Sequence, residues 1–120
     1  MDSILYKGWR LFAPTLQRGG ELQSERHTAS GVRVVILDGR QEKDLPIRHD
    51  LCMKSQEFNW GYGGSGPAQL ALALCAHVLG DDTALEVFQD FKREWVAGWG
   101  SEWEITSDEI EEWYRNLQKL

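Results

Sequence analysis

Four glycines fall within six residues, at Gly61, Gly63, Gly64 and Gly66, with Ser65 among them and an apolar run after Pro67. A glycine-rich turn feeding a helix is the chemistry of phosphate binding, because backbone N–H groups and the helix N-terminus face the anion. Gly61 and Gly66 have the outer spacing of a Walker A loop. The next two residues should then be Lys and Ser or Thr, which supply the phosphate cation and the magnesium ligand. Here they are Pro67 and Ala68, which argues against nucleotide hydrolysis. Pro67 also deletes one N–H from the helix terminus that an anion would use. Gly61, Gly63 and Gly66 do spell G-x-G-x-x-G. The strand before them is short, however, and no second βαβ half follows, so a dinucleotide fold is not supported.

Ser65 invites a nucleophile reading, with His27, His49 or His77 as base. The elbow pattern G-x-S-x-G needs glycine on both flanks, and Pro67 stands where the second belongs. Ser65 reads more economically as the N-cap of the helix that follows. Cys75 and His77 are two apart on that helix and point to different sides. Cys52 and His49 have no second pair at structural-zinc spacing. No catalytic residue, metal or cofactor is predicted.

The aromatic residues are the better functional clue. Trp60 and Tyr62 flank the glycines, and Trp95, Trp99 and Trp103 follow at intervals of four. A domain of 120 residues can hardly bury six tryptophans fully. Exposed Trp and Tyr beside an open backbone suit a protein surface or a planar or sugar-like ligand. The opposing reading has Trp60 and Tyr62 clamping the loop onto the core. The candidate binding set is Trp60, Tyr62, Gly63, Gly64, Ser65, Gln69 and Trp99, with Ser65 and Gln69 as polar contacts if a small ligand binds.

These residues must be positioned by the elements around them. Residues 4–13 read as a strand, perturbed at Gly8 and stopped by Pro14, and residues 15–30 as a long polar loop. Residues 32–37 form the clearest strand and end at the Asp38-Gly39 turn, which suggests an antiparallel hairpin or meander with the first. Residues 40–44 read as a charged loop. Residues 45–51 read as a short edge strand because of Pro46, and Phe58-Asn59-Trp60 as another short strand. Residues 67–79 are apolar on nearly all sides, with only Gln69 and His77 polar, so this helix must be surrounded by protein and ends at Gly80.

Asp82 or Thr83 caps a second helix with the apolar stripe Ala84, Val87, Phe88, Phe91, Trp95, which Gly98 and Gly100 end. Thr106 and Glu109 have capping-box spacing and open a third helix with the stripe Ile110, Trp113, Tyr114, Leu117. Its acidic start and basic end complement the helix dipole. The fold class is therefore α+β in one domain, 1–120: a small antiparallel sheet from the N-terminal half packed against three C-terminal helices, with helix 67–79 buried.

Apolar residues make up 42% and charged residues 27% of the chain, the profile of a soluble globular domain. The net charge is -6, and residues 81–120 hold 11 acidic against 4 basic side chains. General attraction to nucleic acid or an anionic membrane is disfavoured. A local route to nucleic acid through Arg10, Arg18, Arg26 and Arg33 runs against that overall charge. The N-terminus lacks a basic start followed by an apolar core, so no signal peptide is predicted. The longest apolar run is too short to span a bilayer. Two cysteines make no disulfide framework, and the expected location is cytoplasmic.

The run LPIRHDL…S..FNWGYGGSGPAQLALAL resembles the signature of a domain-of-unknown-function family, number 6166. Tyr6, Gly8 and Arg10 match its opening pattern, and Trp103, Ile105 and Thr106 match a segment before its last helix. Asn59 stands where an acidic residue is common in that family. The resemblance implies small bacterial and phage proteins of mobile elements, without an agreed activity. The leading expectation is a non-enzymatic module that binds an unidentified protein partner, with a homodimer as one form. The alternative is a small-ligand or cryptic enzymatic pocket at residues 61–66.

Overall fold

The computed structural model describes residues 3–11 and 31–119. The readings placed on Pro14 and on residues 15–30 lie outside them. Four strands, β1 (Leu5–Arg10), β2 (Val32–Asp38), β3 (Gln41–Asp44) and β4 (Glu102–Thr106), form one antiparallel sheet in the order β3-β2-β1-β4. Three helices, α1 (Ser65–Leu79), α2 (Asp81–Glu94) and α3 (Ser107–Gln118), complete the α+β fold, with a 3-10 turn at Val96–Gly98.

Alternation decides which face of the sheet is covered. Tyr6 lies between Ile36 and Ile105, and the next inward rung is Val34, Gly8 and Trp103. These side chains join the buried residues of α1, α2 and α3 in one apolar cluster. Gly8 does not interrupt β1, because the Trp103 ring lies across it. A Cβ at Gly8 would sit 2.5 Å from that ring. An aromatic laid over a strand glycine restores the packing that the missing side chain forfeits.

Every residue of α1 from Gly66 to Ala76 is buried. This agrees with a helix apolar on nearly all sides, which loses its driving force unless every face is covered. Gly80, with φ of 96°, ends α1 and lets α2 begin at once. The α2 stripe Ala84, Val87, Phe88, Phe91 is buried. The capping box on α3 forms in both directions: Thr106 accepts from the Glu109 amide, and Glu109 accepts from the Thr106 amide.

Several local expectations are corrected. Residues 41–44 are a strand rather than a charged loop, because the Asp38-Gly39 turn folds them back on β2; their charges suit an exposed sheet edge. Residues 45–51 and 58–60 form no strand; isolated backbone bonds such as Leu45 N to Val34 O and Asn59 N to Gly66 O hold them, together with the side chains described below. Helix α1 starts at Ser65, not 67, and its cap is Gly64, whose carbonyl accepts from Ala68 N; Ser65 is the first helical residue and caps nothing. Likewise Gly80 occupies the cap position of α2, and neither Asp82 nor Thr83 does. Strand β4 has no counterpart among the expected elements, and it completes the sheet from the C-terminal part of the chain.

Candidate functional site

A single polar residue of the buried helix holds the segment that leads to the glycine corner. Gln69 is fully buried on α1. Its Oε1 accepts from Lys54 N at 2.7 Å and Ser55 N at 3.1 Å. Its Nε2 donates to Ile47 O at 2.7 Å and Cys52 O at 3.1 Å. An amide side chain has two donors and two acceptor sites, and here all four are used within the chain. Gln69 therefore gives residues 47–55 hydrogen bonds of the kind a strand would take from a neighbour.

Arg48 fixes the same segment from outside. It is the one described non-glycine residue with positive φ, 62°. That conformation costs free energy and persists only where surroundings enforce it. Here the guanidinium grips both oxygens of Asp50 (2.9 and 2.9 Å) and both of Asp81 (3.1 and 3.0 Å). The hydrogen bonds and charge of Arg48 hold the Asp50 carboxyl below its ordinary pKa. The Arg48 carbonyl accepts from Leu51 N and Cys52 N. His49 Nε2 lies 2.8 Å from Ser55 O.

Trp60 is fully buried. Its Nε1 donates to Gly100 O at 2.7 Å, its ring meets Trp103 edge-on at 5.6 Å, and the Arg10 guanidinium lies 4.6 Å from its centroid. Arg10 also donates to Asn59 Oδ1 at 2.8 Å and Trp60 O at 3.1 Å. Only one of the four glycines, Gly61 at φ of 88°, needs a left-handed backbone. Two others are small for packing: a Cβ on Gly64 would lie 2.6 Å from the Tyr62 ring, and one on Gly66 2.7 Å from Asn59 Cβ. Tyr62 thus folds over its own loop while remaining 49% exposed. Gly63 and Ser65 are exposed, and Trp99 is half-buried, stacked on Trp103 at 4.3 Å.

Trp60, Tyr62, the glycines, Ser65 and Gln69 lie along one stretch of chain, and Trp99 joins them at Gly61 through its carbonyl and at Trp60 through the Trp103 ring. Gly64 and Gly66 face the Tyr62 ring and Asn59, and Gly61 faces the Trp99 carbonyl. Ser65 and His77 stand twelve residues apart on α1, about 18 Å along its axis. His77 instead meets Tyr6, whose hydroxyl lies 2.6 Å from Nδ1. Burial raises the Tyr6 pKa, so the phenol keeps its proton. Burial, then Lys43 and Arg48, lower the His77 pKa below 6.5, against the opposing pull of Asp38.

Because the folded state resists protonating His77, the unfolded state binds the proton first as pH falls. The contribution of neutral His77 is complete above the unfolded value of about 6.5 and is lost as pH falls through the folded value. NMR titration should give a His77 pKa below 6.5. His77→Gln should narrow the difference in urea midpoint between neutral and mildly acidic buffer. A pKa at or above the ordinary value, or an unchanged difference, would refute this.

A second feature lies away from the corner, where the end of α2 meets α3. Trp95, Glu109, Glu112, Trp113 and Asn116 line a depression of about 300 Å³. A second, of about 190 Å³, is lined by Glu94, Trp113, Asn116 and Leu117. Sharing Trp113 and Asn116, they form one groove along α3. Trp113 is held in place by its Nε1, which donates to Glu94 Oε1 at 2.9 Å, and its ring meets Phe91 at 5.0 Å. The apolar stripes alone mark Trp113 and Trp95 as core residues. The signal for a groove is that those stripes end on acidic neighbours, Glu94 and Glu112.

Among the described residues, no three His, Cys, Asp or Glu side chains come together so as to hold a metal ion. Burial raises the pKa of the Cys75 thiol, which suits a packing residue better than a nucleophile. No helix of the described residues is long and apolar enough to cross a membrane.

Residues 6–116 match the model of a family of unknown function, DUF6166. The chain belongs to the DUF6166 family. No curated protein and no solved structure matches it. The DUF6166 match takes in the sheet, the Gln69 hub and most of α3. The signature resemblance over residues 45–74 thus falls on residues that hold the fold together. Leu45 and Trp60 are buried, Arg48 is an ion-pair clamp, and Gln69 is saturated. Of the arginines considered for nucleic acid, Arg10 is engaged at Trp60 and Arg33 pairs with Glu42 and Asp44. Arg18 and Arg26 lie outside the described residues.

Proposed function

We propose that this DUF6166 protein is a non-enzymatic interaction module whose contact surface is the groove between the end of α2 and α3. The observation that carries the reading is a groove with Trp95, Trp113 and Leu117 on its walls and acidic side chains on its rim. Tryptophans at a rimmed depression are the residues that dominate protein–protein contacts. On this reading the contact is at Trp95 and Trp113 rather than at the glycine corner. A ligand pocket at residues 61–66 has little support, since Trp60 and Gln69 commit their polar atoms within the chain.

An accessory role on a mobile element and a cytoplasmic setting rest on the family resemblance and on the two free thiols, Cys52 and Cys75. The test is site-directed photo-crosslinking in the cells that make the protein. A crosslinker at Asn116 should capture one discrete partner, and Trp95→Ala should remove that product. The same crosslinker at Tyr62 should not capture it. Capture from Tyr62 alone, or from neither position, refutes the groove as the contact.

A further inference from the structure

We propose that the groove receives a basic amphipathic helix of another protein, inserting Lys or Arg side chains one helical turn apart. This rests on the reading of the groove as the contact surface. The two depressions share Trp113 and Asn116, and the groove they form runs along α3 from Glu109 to Leu117, about two turns or roughly 12 Å, which is room for two side chains one turn apart. A partner helix presents side chains at that repeat through positions i and i+4. Each depression pairs an aromatic wall with a carboxylate: Trp95 and Trp113 with Glu109 and Glu112, then Trp113 with Glu94.

An aliphatic stem ending in a cation matches that combination, since the stem packs on the indole and the charge meets both ring and carboxylate. Among the described residues, none of Glu94, Glu109 and Glu112 is in a salt bridge. No basic residue lines either depression. Glu94 is already oriented by the Trp113 indole, and Glu109 keeps its second oxygen outside the capping box. A second copy of the chain is the poorer occupant. It would bring the same acidic C-terminal third against this one, and like charges across a contact oppose it.

The probe is a synthetic helical peptide with a leucine face and Lys at i and i+4, titrated into the 15N-labelled full chain. The control peptide carries Glu in place of Lys. The Trp95 and Trp113 indole N–H signals should shift with the basic peptide and not with the acidic one. Glu94→Gln combined with Glu112→Gln should weaken binding about tenfold while keeping the Trp113 hydrogen bond, because the amide oxygen still accepts. Equal response to both peptides, no shift at millimolar peptide, or self-association through the groove would overturn the proposal. A crosslinked Asn116 partner lacking a basic helix would overturn it while leaving the interaction reading intact. Absence of any Asn116 partner would overturn the reading itself.

Discussion

Gln69→Leu lowers the free energy of unfolding by about 3–5 kcal/mol, the largest effect expected of one polar substitution here. Leucine keeps much of the volume but leaves Lys54 N, Ser55 N, Ile47 O and Cys52 O without their common partner. Each buried group left unpaired costs about 1–3 kcal/mol, and the total stays below the sum because the neighbouring loop is partly open to water. Urea unfolding checks the magnitude. A Gln69→Leu protein as stable as wild type would mean that the segment is held by its own backbone. Gln69→Glu provides a sharper control. It keeps the acceptor for the two amides but sets a carboxylate against two carbonyls, so it should be no better tolerated at neutral pH.

Trp60→Ala is the second large effect, a loss of about 3–5 kcal/mol, as expected for emptying a fully buried aromatic site. The consequences extend beyond the cavity. The indole connects Gly100 before β4, Trp103 on β4 and Arg10 at the end of β1. Its removal loosens the glycine corner and the β4 edge together. Trp60→Phe, which retains most of the apolar contact, should lose less. Tyr62→Ala removes a half-exposed ring and should cost much less than Trp60→Ala. A ranking with Tyr62 above Trp60 would contradict the view of Trp60 as the fastener of the corner.

The elements that carry a complete local signal are readable from the residues alone. The Thr106 and Glu109 box, the α3 stripe and the Val32 to Asp38 strand each owe their state to their own side chains. The unreadable elements depend on partners outside their own residues. β3 is polar and exposed along its whole length and becomes a strand because the hairpin at Asp38-Gly39 pairs it, not because it buries anything. β4 does show alternation, Glu102-Trp103-Glu104-Ile105, with Trp103 and Ile105 inward. The four-residue spacing of the tryptophans masks it by imitating a helical period.

The positive φ of Arg48 is not marked by its residue type; it accompanies the turn at residues 48–52 and the grip of Asp50 and the distant Asp81. Gln69 is visible in the sequence as a lone amide on an otherwise apolar helix face. Buried amides are satisfied as a rule, so that residue announces a partner segment without naming it. The glycine corner resembles a phosphate loop because both need glycine. Here the need is mainly close packing against Tyr62 and Asn59 rather than access for an anion.

Residues 47–55 are built onto α1 through Gln69, which makes this segment an architectural joint, and the contact surface we propose is the α2–α3 groove. Native-state hydrogen exchange of the Lys54 and Ser55 amides tests this most directly. Both should be protected nearly as well as amides in the middle of α1, and Gln69→Leu should release them by orders of magnitude more than the β2 amides. Exchange of Lys54 and Ser55 at the rate of an open loop in the wild-type protein would contradict the role given to Gln69.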